Sequence, residues 1–282
     1  MFPGQLHPRF AWLEITGLCN LNCRHCYAES SPQGDHGDMT ETDWMRVIDQ
    51  LDEMGVRDIQ FIGGEPTLHP GLSRFIRHAG QYAMRVEVFS NMTHIKPEVW
   101  DALQLPGVRL AFSYYSDEAP DHETVTGTRG SHARTRTNVQ RARELGIRDV
   151  RTDRIRPFGR GADGKPPRFE ELCGMCGRAK FAVLPDGRVT PCVFSRWMEL
   201  GNVHRQTLAE IYSSEAMNSA RTDLERKFPP TAPHTAPTCL PECNPSFDSC
   251  SPQTICAPDA ACGPTGSGDD DGGSGSLPRT DC

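Results

Sequence analysis

The sequence predicts an α/β fold: a parallel sheet in the first half, open or rolled into a partial barrel, followed by a small cysteine-rich region. Three observations point there. Short β-branched and aromatic runs alternate with amphipathic stretches over residues 11–157, the pattern of strands joined by right-handed helical crossovers. The polar residues able to do chemistry follow the strands, the side on which parallel α/β folds bind ligands. The twelve cysteines fall in spaced groups.

The first strand is Ala11 to Gly17, "AWLEITG". A helix follows over Thr40 to Gly55: Trp44, Val47, Ile48, Leu51 and Met54 share one face, Thr40 caps it and Gly55 stops it. "DIQFIGG" (58–64) is the second strand, and "LSRFIRHAG" (72–80) is a helix with Leu72, Phe75, Ile76 and Ala79 on one side. "RVEVFSN" (85–91) is the third strand, and Pro97 opens the helix "KPEVWDALQ" (96–104). "RLAFSYYS" (109–116) is the fourth strand, "TRTNVQRARELG" (135–146) its helix, and "DVRTDRIRP" (149–157) a fifth strand. The core is therefore residues 1–158, with a Gly/Pro/charge-rich linker at 159–172. The cysteine-rich region is 173–262, and the low-complexity stretch 263–282, ending in an incidental Cys282, is expected to be disordered.

A chain of 282 residues has room for one large α/β domain and a smaller one. Its net charge of −7, part of it in Asp269 to Asp271, argues against a general nucleic-acid binder. No apolar run approaches membrane-spanning length, and "MFPGQLHPRF" lacks a signal-peptide core. A cytoplasmic location is expected, where thiols stay reduced. Metal or iron–sulfur ligation, rather than disulfide bonding, is then the expected use of the cysteines.

Four polar clusters mark the carboxyl ends of the strands. They are Cys19, Cys23 and Cys26; "GGEP" from Gly63 to Pro66; Ser90 with Asn91; and "SYYSD" from Ser113 to Asp117. Three thiolates spaced i, i+4 and i+7 suit three corners of a cubic iron–sulfur cluster. Zinc, which takes four protein ligands at structural sites, is the alternative; His25 is awkwardly placed to complete it.

The spacing Cys19-x3-Cys23-x2-Cys26 directly after a first strand resembles the signature of the radical S-adenosylmethionine (SAM) superfamily, and "GGEP" is similar to that family's methionine-binding motif. The resemblance spans about residues 11–157 and implies that the amino and carboxylate groups of SAM chelate the iron without a protein ligand. It implies roles as well. Gly63 and Gly64 let the backbone approach the methionine, followed by Pro66, and Glu65 accepts from its ammonium group. His25 stands where the family has an aromatic and packs on or hydrogen-bonds adenine. Ser90, Asn91 and Ser113 are candidate ribose or carboxylate contacts, or ordinary strand-end caps.

"LCGMCGRAKFAVLPDGRVTPCVF" holds Cys173, Cys176 and Cys192, with a hairpin turn signal at Asp186-Gly187. This interval, with "GNV" (201–203) and "TLAEIY", is similar to the opening of the SPASM extension, which implies one or two auxiliary four-iron clusters. By chain order, Cys173, Cys176, Cys192 and Cys256 would hold one, and Cys239, Cys243, Cys250 and Cys262 the other. The later spacings, x3, x6 and x5, depart from the family's, so a single auxiliary cluster is the alternative. The core is also expected to lack one βα unit of the family's six, which would thin the barrel wall on the adenosine side.

The resemblance implies reductive cleavage of SAM to a 5′-deoxyadenosyl radical that takes hydrogen from a substrate, with an electron donor such as flavodoxin or ferredoxin. Maturation of a ribosomally made peptide is the leading reading. A small-molecule substrate, haem-like or nucleoside-sugar, is the alternative; an inactive cluster-binding homologue is a third. The loop "DHETVTGTRGSHARTRTN" (121–138) is read as a cover over the cavity or as a solvated basic loop, with Arg129 a candidate carboxylate contact. Tyr114, Tyr115, Asp117 and Asp153 are expected at the mouth as candidate proton donors or acceptors.

Overall fold

The computed structural model describes residues 7–147 and 157–229. Four parallel strands form the first half, β1 (Phe10–Glu14), β2 (Asp58–Ile62), β3 (Arg85–Ser90) and β4 (Val108–Phe112). Helices α1 (Glu41–Glu53), α2 (Leu72–Gln81) and α3 (Pro97–Leu103) make the crossovers. Thr40 caps α1 as expected, in a reciprocal box with Asp43, and Gly55 follows the helix at φ +77°. After β4 come α4 (Ala119–Thr126) and α5 (Ser131–Glu144). The expected loop at 121–138 is thus mostly helical. Only a four-residue break remains, with Gly127 and Gly130 left-handed at its ends.

The second half supplies β5 (Lys180–Val183), β6 (Arg188–Thr190), β7 (Gly201–Asn202), α6 (Leu208–Tyr212) and α7 (Glu215–Lys227). The predicted hairpin is present, turning through Gly187 at φ +77°. Its partner is the surprise: β5 runs parallel to β1, pairing Phe10 with Lys180 and Leu13 with Val183. The cysteine-rich half therefore continues the core sheet, in the order β4-β3-β2-β1-β5-β6-β7, and the described strands form an open sheet. The predicted strand at 149–157 lies outside the described residues except for Pro157, as do Asp153, Cys239, Cys243, Cys250, Cys256, Cys262 and the tail.

Alternation along the strands sorts two cores. Ala11, Leu13, Ile59, Phe61, Val86, Val88, Phe181 and Val183 face α1, α2, α3 and α6. Phe10, Trp12, Ile62 and Ala182 face the other way, toward Phe158, Leu172, Cys176 and Cys192. This second face also carries buried polar groups, Glu14, Gln60 and Glu87, with Gln60 donating to Glu87. Such groups are costly unless paired. Glu14, 1% exposed, is paired with Arg196 from the second half at 2.5 Å.

Because β5 and β1 share one sheet, Phe181→Ala should cost ~3–5 kcal/mol, the usual range for a buried phenylalanine. Urea unfolding followed by far-UV CD and tryptophan fluorescence should still show one coincident transition. A first half that melts at the parent midpoint in this variant would refute the shared sheet.

Candidate active site

The chain leaves β1 through Ile15 and Thr16, and Thr16 ties the lead-in together. Its hydroxyl accepts from Leu18 N–H at 3.0 Å and contacts His36 Nδ1 at 2.9 Å. The loop after β2 packs directly against this segment: Gly64 N–H donates to Thr16 C=O at 2.7 Å and Glu65 N–H to Leu18 C=O at 2.8 Å. A Cβ on Gly63 would lie 2.4 Å from Thr16 O, and one on Gly64 2.3 Å from Leu18 O. Here the absent side chains serve a loop-to-loop contact, beside the close approach to a ligand that the resemblance implies.

Cys19, Cys23 and Cys26 follow as free thiols. Leu21 N–H points at Cys19 Sγ at 3.4 Å, and Cys26 N–H closes a turn on Cys23 C=O at 3.3 Å. Burial pushes the Cys19 thiol up to about 12, with the Glu65 charge next. It pushes Cys23 up to about 11, with the Cys26 thiolate next and Arg160 opposing. Three free cysteines gathered in one loop, one buried and two half-buried, are a fitting donor set for an iron–sulfur centre. No three His, Cys, Asp or Glu side chains among the described residues are close enough to hold a single metal ion. A four-iron cluster spaces its thiolates more widely.

Glu65, 0% exposed, is the hub of the rim. Its Oε1 accepts from Thr67 N–H at 3.1 Å, Thr67 Oγ1 at 2.7 Å and Ser90 Oγ at 2.8 Å; its Oε2 accepts from Asn91 N–H at 2.7 Å. Burial raises its pKa while these donors pull it down. The carboxylate thus knits "GGEP" to the end of β3, and only Oε2 keeps acceptor capacity for an incoming ammonium group. Asn91 continues the chain of contacts, donating to Asn20 Oδ1 at 2.9 Å and lying 3.8 Å from Cys19 Sγ. Pro66 starts the short 3-10 turn Pro66–Leu68, and Ser113 N–H donates to Ser90 C=O at 3.2 Å.

His25 Nε2 lies 3.1 Å from the Tyr115 hydroxyl, and its buried Nδ1 has no partner. Burial, then Arg160, lowers its pKa, so the ring is neutral. An orphaned polar atom in this position fits a polar ligand edge such as adenine. Arg129 and Asp117 are exposed. Tyr114 instead meets His132 Nε2 at 3.1 Å, inside a packed group with His122.

Two groups escaped the sequence reading. Arg160, taken as linker, donates through Nε to Cys23 C=O at 2.8 Å and through Nη2 to Ser30 C=O at 2.6 Å, and its N–H donates to Cys26 C=O at 3.0 Å. The preceding Gly159 sits 2.4 Å, by its absent Cβ, from Tyr27 O. The glycine–arginine–glycine run was the available signal. The end of α4 is the other: Asn22 N–H donates to Thr126 C=O at 3.0 Å and Arg24 N–H to Val125 C=O at 3.1 Å.

The second cysteine group lies on the second face of the sheet, where Cys176 and Cys192 join the cluster of Phe10, Trp12 and Ala182. Cys176 Sγ is 3.0 Å from Cys192 Sγ, and Cys173 hydrogen-bonds Cys176. Tyr27, next to Cys26, packs against the apolar cluster that holds Cys176 and Cys192, so one aromatic side chain links the two cysteine groups. A cleft of about 350 Å³ opens on the opposite rim, at the amino ends of β3 and β4 beside Leu103, Gly107 and Leu145. It is remote from both groups.

Residues 13–156 match the radical SAM superfamily, and residues 173–244 match the SPASM iron–sulfur cluster-binding domain. The first match covers more than half of the chain, which therefore belongs to the radical SAM superfamily. Four-iron clusters and SAM are the cofactors these two domains imply. The antilisterial bacteriocin subtilosin biosynthesis protein AlbA of Bacillus subtilis (strain 168) is 25% identical over 276 residues, covering 76% of this chain and 60% of AlbA. The AdoMet-dependent heme synthase of Methanosarcina barkeri (strain Fusaro) is 31% identical over 134 residues, 47% of this chain and 38% of the synthase. The chain thus spans less than two thirds of either relative. Streptococcus suis SuiB, in a crystal structure with S-adenosylmethionine, shares the fold with a TM-score of 0.57 at 14% identity, over 77% of this chain and 68% of SuiB. No helix among the described residues is long and apolar enough to cross a membrane.

Two outcomes follow from this geometry. Arg160→Gln removes charge-assisted bonds to two part-buried carbonyls and should cost about 1.5–3 kcal/mol, with lower iron retention on gel filtration; parent-like stability and iron content would contradict the latch. His69, after "GGEP", accepts from Gly71 N–H at 3.0 Å, and burial lowers its pKa to about 4. Folding selects its neutral form, so its contribution is complete above pH 6.5 and is lost as pH falls toward 4. Urea midpoints from pH 7 to 4 should decline less in His69→Phe than in the parent; parallel curves would count against it.

Proposed function

We propose that the chain is a radical SAM enzyme acting on a ribosomally made peptide. The observation that carries the radical reading is the loop of Cys19, Cys23 and Cys26: three free thiols on the carboxyl rim, one buried and two half-buried, beside a carboxylate hub with one open acceptor position. When bound, a four-iron cluster would supply one electron to the sulfonium of SAM, giving methionine and a 5′-deoxyadenosyl radical that takes hydrogen from the substrate.

The chain's own residues have separate tasks in this reading. Cys19, Cys23 and Cys26 hold three irons. Glu65 Oε2 and the Gly63–Gly64 backbone receive the methionine end, and His25 Nδ1 receives a polar edge of adenine. Arg160 and the end of α4 keep the loop from relaxing. Cys173, Cys176 and Cys192 contribute to an auxiliary cluster that needs a further ligand from outside the described residues. A flavodoxin- or ferredoxin-like protein would deliver the electron, in the cytoplasm.

The peptide substrate is supported by the SPASM match and by the likeness to AlbA, a bacteriocin biosynthesis protein. A small molecule is the second reading, supported by the heme synthase likeness over the first half.

Anaerobically reconstituted protein given SAM and dithionite should form 5′-deoxyadenosine, and Cys23→Ala should lose at least about a hundredfold of that rate, as expected when an essential group is removed. A parent protein forming none would defeat the reading. Faster turnover with a leader-bearing peptide than with porphyrin or nucleoside substrates supports the first substrate class, and the reverse result the second.

A further inference from the structure

The cysteine loop reaches the surface at Asn22 and Arg24, the exposed residues on either side of the half-buried Cys23. The end of α4 holds both through their backbone N–H groups, and the break between α4 and α5 abuts the same spot: a Cβ on Gly127 would lie 2.7 Å from Asn22 O. This break and the start of α5 carry Arg129, Arg134 and Arg136, all exposed. Arg134 Nη2 donates to Arg129 C=O at 3.4 Å, which folds the Arg134 side chain back over the break.

Several arginines elsewhere sit against carboxylates: Arg46 with Asp43, Arg57 with Asp52, Arg74 with Glu41 and Arg188 with Asp186. Among the described residues, Arg24, Arg129, Arg134 and Arg136 have no ion-pair partner. Glu123, the carboxylate of α4 that turns toward the break, accepts from Gly130 N–H at 2.8 Å. In a chain of net charge −7, these cations around one loop reverse the local sign of the surface. The patch also lies behind the sheet. Val139 and Ala142 of α5 belong to the core under α1, α2 and α3, whereas Cys176 and Cys192 belong to the cluster on the other face. A partner seated here would approach the cysteine loop from the helical side and leave the second face free for a substrate. What the first site must receive from outside, without admitting its source to the reacting atoms, is an electron.

We propose that Arg24, Arg129, Arg134 and Arg136 form the docking surface for a small acidic one-electron carrier protein, which reduces the first cysteine site across the edge formed by Asn22 and Arg24. The proposal rests on the radical SAM reading above. One electron leaves the carrier's reduced flavin or iron–sulfur centre and enters the oxidised cluster; the carrier is oxidised by that electron, and no bond in this chain forms or breaks. An acidic carrier is repelled by most of this negatively charged chain and drawn to the patch, so complementarity acts on the encounter rate and weakens with salt.

The test is anaerobic stopped-flow reduction of the full, reconstituted chain, read as bleaching of the cluster's visible absorbance. The reductants are an acidic flavodoxin hydroquinone and an acidic two-iron ferredoxin in turn, with photoreduced 5-deazariboflavin, small and uncharged, as the control. The double variant Arg134→Glu with Arg136→Glu should lower the second-order rate with both carriers at least about tenfold at low salt and leave the control rate as in the parent. Raising sodium chloride from about 0.05 M to about 0.5 M should slow the parent and bring the two proteins together. Acidic side chains suit the start of a helix, so the variant should fold; should it fail to hold iron, Arg134→Gln with Arg136→Gln decides, a parent-like carrier rate overturning the proposal. A carrier rate untouched by the reversal, an equal loss with deazariboflavin, or a parent that only the small reductant reduces also overturns it. So does a patch that serves an acidic peptide instead, seen by fluorescence anisotropy as lost peptide affinity with carrier rates unchanged. A parent cluster whose EPR signal ignores added SAM overturns the radical SAM reading itself, a result distinct from a SAM-responsive parent whose variant is reduced as fast.

Discussion

The close approach of two loop backbones at the carboxyl ends of β1 and β2 is the constraint on which the rest of the site depends. Thr16 and Leu18 offer carbonyls that Gly64 and Glu65 fill, and the contact has no room for a Cβ at either glycine. It sets where the cysteine loop departs and where the Glu65 side chain enters. Bulk at either glycine would separate the thiols from the carboxylate, whatever the sequence of the cysteine loop.

A second requirement is electrostatic. The buried Glu65 carboxylate and the Cys19 thiol lie on one rim, where burial first and then the Glu65 charge raise the cost of a Cys19 thiolate. The structure offsets this with directed donors, namely Thr67, Ser90 and Asn91 on the carboxylate, and with Arg160 lying over the cysteine loop. Buried charge surrounded by fixed donors resists rearrangement, so the site is held in place before any cofactor arrives.

The crossover units were readable because their signals are local. Trp44, Val47, Ile48 and Leu51 recur at helical spacing, Thr40 caps them, and Pro97 opens its helix. The cysteine loop and "GGEP" were readable because few chemistries use those residues at that spacing. What escaped was non-local. Nothing near Phe181 says that its strand adds to β1, since edge pairing depends on which edge is free. Arg160 lies 137 residues from the Cys23 carbonyl it contacts, and glycine-rich surroundings disguised it as linker. The stretch 121–138 reads as a loop because its glycines stand out, and α4 has a weakly amphipathic face that a periodicity reading passes over, whereas most of α5 is legible as the helix of 135–146.

The parallel pairing of β5 with β1 makes the cysteine-rich half a poor candidate for exchange as a cassette. A graft from another family member would have to reproduce the edge of a foreign sheet, the register of Leu13 with Val183, and an arginine for the buried Glu14 carboxylate. Chimeras cut in the linker before Cys173 would break that seam, whereas a transplant carrying β1 along with the hairpin would keep its geometry intact.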